Sequence, residues 1–81
     1  MNRRPLRVPE LGLDKDVSLR LSLWLVRTGE PVRAEQSLAE IVAGQVVVDL
    51  PSAVDGVLVE KLVDEDQDIE VGQTLGWIES R

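Results

Sequence analysis

Five carboxylates crowd one short stretch of the chain, Asp64, Glu65, Asp66, Asp68 and Glu70. Carboxylates this close can pair for general acid–base work or gather a hard cation. The stretch lacks the ligand spacing and central glycine of a calcium loop, so its plain reading is a solvated turn. Histidine and cysteine are both absent. The commonest general base is therefore missing, and no Ser-His or Cys-His nucleophile can be assembled. Lys15 and Lys61 are the chain's two lysines and its only side-chain amines. No catalytic residue and no metal site is expected, and the chain is read as something other than an enzyme.

One further stretch asks for a role. In Glu40–Gly56, EIVAGQVVVDLPSAVDG, two apolar runs of β type meet head to head at Ala43-Gly44-Gln45. A tip this small and polar is where a β-domain displays a group. Gly44 also suits the first central position of a type II′ hairpin turn, which needs positive φ.

Strands must position that tip. Leu19, Leu21, Leu23 and Leu25 alternate with Arg20, Ser22, Trp24 and Val26. This period of two predicts a half-buried strand with the leucines inward and Trp24 on the opposite face, partly covered by a neighbouring segment. Arg27-Thr28-Gly29-Glu30-Pro31 breaks the ladder. Further strands are expected over 37–42, 46–50, 57–63 and 74–79, with a short first one over 6–8. Ala34 to Val42 also has helix-forming composition, and helix is the alternative there.

The chain repeats itself at a shift of 37 positions, which carries Leu21 onto Leu58, Val32 onto Ile69 and Gln36-Ser37-Leu38 onto Gln73-Thr74-Leu75. The match fails at Leu23 against Glu60 and Trp24 against Lys61. Two halves, each too small to bury its own apolar face, must close on each other. The expected fold is all-β: a flattened barrel-sandwich of two small antiparallel sheets with approximate two-fold symmetry. The tip would lie at one end and the chain termini together at the other.

With 81 residues, 43% of them hydrophobic, the chain is expected to form one domain over 1–81. A net charge of −6 argues against nucleic acid and anionic membranes as partners. No apolar run approaches the ~18 residues of a membrane span. Met1-Asn2-Arg3-Arg4 is not followed by the apolar core of a signal peptide, and a cytoplasmic setting is expected.

These residues resemble the biotinyl/lipoyl attachment domain family, most closely the lipoyl domains of 2-oxo acid dehydrogenase acyltransferases. VPELG at Val8–Gly12 is similar to the family's opening, and WLVRTGEPV at Trp24–Val32 to its Trp-containing strand and following turn. LAEIV at Leu38–Val42 and VVVDLPSAVDGVLVE at Val46–Glu60 resemble the flanks of its modification hairpin. VGQTLGWIE at Val71–Glu79 resembles its closing strand. The tip departs from the family. Lipoyl domains carry Asp-Lys there, with lipoate amide-linked to the lysine. The resemblance places that aspartate on Gly44 and that lysine on Gln45. Biotinyl domains also need a lysine at this point.

A carboxamide cannot replace the amine, because its nitrogen lone pair is delocalised into the carbonyl. The resemblance places Lys15 and Lys61 away from the tip. It therefore implies a lipoyl-like domain without its acceptor and without cofactor, a binding or scaffolding module whose protein partners are components of a 2-oxo acid dehydrogenase complex. The Trp24 face, the tip and the stretch from Asp64 to Glu70 are its candidate surfaces. The alternative is a working lipoyl carrier in which Gln45 was engineered or another lysine is used. Lipoyl-like halves of membrane-fusion proteins also lack the lysine, but a long helical hairpin splits them, whereas three residues separate Val42 from Val46 here.

Overall fold

A computed structural model describes residues 2–80. Eight strands follow one another with no helix between them: β1 (Asn2–Arg7), β2 (Leu19–Trp24), β3 (Pro31–Val32), β4 (Ser37–Ala43), β5 (Val46–Pro51), β6 (Gly56–Lys61), β7 (Asp68–Ile69) and β8 (Thr74–Ser80). They form two antiparallel four-stranded sheets, ordered β1-β8-β6-β3 and β5-β4-β2-β7. The helical alternative over Ala34–Val42 is not taken. The chain turns at Ala34–Gln36 and then enters β4, where Leu38, Ala39, Ile41 and Ala43 are buried. The first strand runs from Asn2 to Arg7 rather than over 6–8, because β8 offers partners along its whole length, from Asn2 opposite Ser80 to Arg7 opposite Thr74.

The core lies between the sheets. Leu21, Leu38, Ile41, Leu58 and Leu75 are fully buried in it, each side chain contributing about 1.5–3 kcal/mol through removal from water. One expectation fails in an informative way. Leu19 and Leu21 face inward, but Leu23 is 40% exposed and Leu25 44%. The cause is a β-bulge. Leu21 pairs with Ile41, and Leu23 pairs with the very next residue of β4, Glu40. The extra residue, Ser22, inverts the alternation. Trp24, expected on the outer face, comes to lie opposite the buried Ala39 and packs against the core, and Val26 is buried beyond it.

The same bulge recurs 37 positions later, where Leu58 pairs with Ile78 and Glu60 with Trp77. Leu23 and Glu60 are therefore both outward-facing, which is why this pair need not match in sequence. Hydrogen bonds repeat at the same shift. Leu25 N–H donates to the Leu38 carbonyl and Leu62 N–H to that of Leu75; Gly29 N–H donates to Leu58 and Asp66 N–H to Leu21. The Arg33 and Glu70 amides are held by the side-chain oxygens of Gln36 and Gln73. Only the first and fifth strands keep a different spacing. Leu6 corresponds to Leu50, 44 positions on, since each faces the core and each pairs with a small residue, Gly76 or Ala39. The difference is a longer connection, eleven residues over Val8–Ser18 against four over Ser52–Asp55.

Candidate functional site

The hairpin tip is built by β4 and β5. Ala43 and Val46 are directly opposed, so Gly44 and Gln45 alone make the turn. Gly44 has φ of 64° and Gln45 does not share that sign, the pattern of a type II′ turn. Both residues are exposed. The Gln45 side chain has no hydrogen-bond partner among the described residues.

The tip is steadied from one side. Gly44 N–H donates to the Ser18 carbonyl at 3.3 Å, and a Cβ at Gly44 would stand 3.6 Å from Val17 Cγ1. The long Val8–Ser18 connection thus runs against the turn. Lys15, expected away from the tip, is exposed in this same connection. Between it and residues 68–73 opens a groove of about 680 Å³, with Asp14, Asp16, Asp68 and Glu70 on its walls. Sequence reasoning did not find this groove. The available signal was the length of Val8–Ser18 beside its short counterpart.

The acidic stretch behaves as a connection with structural duties. Asp64, Glu65, Asp66, Asp68 and Glu70 are all exposed. Glu65 Oε2 accepts the Trp24 backbone N–H at 2.8 Å, and Gln67 Oε1 accepts that of Asp64 at 3.0 Å. Among the described residues no three acidic side chains are grouped so as to hold a metal ion. Trp24 is partly covered, as expected. Its indole N–H donates to the Val63 carbonyl at 2.9 Å, and Lys61 lies over its ring. Lys61 is half-buried in this contact. No helix among the described residues is long and apolar enough to cross a membrane.

Comparison with known proteins agrees with the fold. Residues 4–78 match a family model described as "Biotin-requiring enzyme", the biotin/lipoyl family. The chain is 34% identical, over 88% of its length, to the dihydrolipoyllysine-residue acetyltransferase component of the pyruvate dehydrogenase complex of Corynebacterium glutamicum, of which it covers 10%. It is 33% identical, over 93% of its length, to the dihydrolipoyllysine-residue succinyltransferase component of the 2-oxoglutarate dehydrogenase complex of Bartonella vinsonii, of which it covers 18%. The chain thus spans less than a fifth of either relative. Its backbone is similar to the solution structure of the lipoyl domain of the 2-oxoglutarate dehydrogenase complex from Azotobacter vinelandii, with a TM-score of 0.74 at 20% identity, over 94% of this chain and 99% of that one. The chain belongs to the biotin/lipoyl family, as a lipoyl domain related to the acyltransferase components of 2-oxo acid dehydrogenase complexes.

Proposed function

We propose that this is a lipoyl domain without a lipoyl group: one unit over residues 1–81, not itself catalytic, that serves a 2-oxo acid dehydrogenase complex as a binding or scaffolding module. One observation carries the reading. The exposed turn of the β4–β5 hairpin holds Gly44 and Gln45, and the resemblance puts the family's acceptor lysine at Gln45. Attachment of lipoate requires an amine to attack an activated acyl group, and the Gln45 carboxamide cannot do so. The protein partners we infer are components of such a complex, in keeping with the relatives' being components of the pyruvate and 2-oxoglutarate dehydrogenase complexes.

The position of Lys15 gives a second reading its one support. This lysine belongs to the connection that runs against the tip, so a carrier using it in place of the missing acceptor is the rival. A single experiment separates the two. The parent chain, Gln45→Lys and Gly44→Asp/Gln45→Lys are incubated with lipoate ligase, ATP and lipoate, then weighed intact and mapped by peptide. The parent is expected to gain no mass and Gln45→Lys to gain one lipoyl group. An adduct on Lys15 of the parent would establish the rival. Gly44→Asp restores the family's residue but meets φ of 64°, where a non-glycine residue costs about 1–2 kcal/mol. The single variant is therefore the cleaner probe.

A further inference from the structure

Sheet edges expose unpaired backbone groups, and proteins blunt them with prolines, charges or brevity. The four edges here are treated unequally. β3 and β7 are two residues long. β1 is guarded by Arg3, Arg4 and Arg7, and by Pro5, which has no N–H to offer. β5 carries such guards only in its second half, Asp49 and Pro51. Val46-Val47-Val48 opens the strand, with Val46 54% and Val47 59% exposed, and no cation stands on it before it ends at Pro51.

The hairpin fixes which groups are free. Ala43 and Val46 close a two-residue loop and so exchange both backbone bonds. Alternation then turns the N–H and C=O of Val48 toward Ile41, and those of Val47 and Asp49 away from the sheet. Neither Val47 nor Asp49 donates its N–H to any loop among the described residues.

From this edge we infer that the occupant of β5 is a second copy of the chain, paired β5 to β5 in antiparallel about a two-fold axis at Val47. The sequence of the strand is self-complementary in that register. Val47 faces Val47 of the second copy, and Val46 faces its Val48. Just beyond the strand, the turn residue Gln45 of the second copy comes level with Asp49, so that a carboxamide able to donate meets a carboxylate, twice over by symmetry. A register centred on Asp49 would instead oppose two carboxylates. The arrangement also closes. It joins the two β5-β4-β2-β7 sheets into one of eight strands, whose outer edges are the two-residue β7. No long edge is left on that sheet to recruit a third copy. A contact confined to one strand per copy is at the small end of specific interfaces, which makes the dimer weak and concentration-dependent. The inference stands on the edge itself and holds whether or not Gln45 replaces an acceptor.

Sedimentation equilibrium tests it. From micromolar to about 1 mM the mass of the parent should climb from 9.0 kDa toward twice that value. Amide hydrogens of Val47 and Asp49 should become protected over the same range. Val47→Lys sets two ammonium groups against each other on the axis and should weaken association more than tenfold, with an unchanged circular dichroism spectrum since the side chain is exposed. Gln45→Lys should tighten the dimer several-fold against Asp49 and Gln45→Glu should loosen it, while adding Asp49→Lys to Gln45→Glu should restore it. A parent that stays monomeric at about 1 mM, a dimer that survives Val47→Lys, or Gln45→Lys and Gln45→Glu acting in the same direction would each overturn the proposal.

Discussion

The ammonium nitrogen of Lys61 sits 5.1 Å from the centre of the Trp24 ring, and the two residues occupy corresponding positions in the two halves of the chain. The halves therefore touch each other through one of the pairs at which their sequences disagree. Both residues follow the bulge of their strand, and each pairs with a small, buried residue, Ala39 or Gly76. That leaves room for a large ring from one half and a long aliphatic stem from the other. Two tryptophans at this spot would compete for the same space, and two lysines would repel. The mismatch is a complementary contact across the approximate two-fold.

Trp24 should matter more than Lys61. Trp24→Phe keeps most of the ring but leaves the Val63 carbonyl without its 2.9 Å donor, which should cost about 1 kcal/mol. Lys61→Met keeps the stem and removes the charge, with an expected loss of about 0.5 kcal/mol or slightly more. Urea unfolding of the two variants and their double mutant measures both, and a double-mutant coupling near zero would show that the ring and the ammonium do not interact.

The bulges make a sharper prediction about leucines. Leu21→Ala and Leu58→Ala should each destabilise the domain by about 2–5 kcal/mol, because both side chains are fully buried. Leu23→Ala and Leu25→Ala, drawn from the same alternating run, should stay within about 1 kcal/mol of the parent, both being two-fifths or more exposed. Thermal melts of the four variants would sort them two against two. A large loss at Leu23 would mean that the strand runs without its bulge in solution.

Backbone strain offers a route to stabilisation. Glu35 has φ of 71° and Asp66 of 69°, while their counterparts at the 37-residue shift are glycines, Gly72 at 84° and Gly29 at 94°. Each half thus turns through the left-handed region twice, once with glycine and once without. Glu35→Gly and Asp66→Gly should raise stability by up to about 1 kcal/mol each, the relief of strain being partly offset by the greater freedom of glycine in the unfolded chain. Gly29→Ala and Gly72→Ala should lower it by a similar amount. Neither glycine has an atom within 4 Å of an added Cβ, so the change in melting temperature reports conformation and not a clash.

Much of the architecture could be read from residue types. Alternation located the five longer strands from β2 onward, and the tip stood out because Gly44 and Gln45 interrupt two valine-rich runs. The bulge at Ser22 could not be read in this way, because its cause is the pairing of β2 with β4, which leaves Leu19–Leu25 looking like one unbroken alternation. The two-residue strands β3 and β7 escaped for the same reason. Val32 and Ile69 are single buried side chains within polar connections, and each short strand is defined by a partner elsewhere in the chain. At the candidate site, the identity of the turn was legible and its surroundings were not. Val17 and Ser18 reach Gly44 only through the path of a loop whose composition does not specify its course.

Asn2 lies opposite Ser80 in the place that Val46 and Ala43 hold in the other sheet. The backbone from Asn2 to Ser80 thus runs close to a closed ring, with Asn2 and Ser80 standing where a second hairpin would sit. A short link from Ser80 to Asn2, together with an opening between Gly44 and Gln45, would leave both sheets unchanged. Such a circular permutant would present a covalent loop beside Asn2 and Ser80, and loose ends at Gln45. The sandwich beneath therefore offers two equivalent places, one at each pole, for a turn that displays a fixed residue.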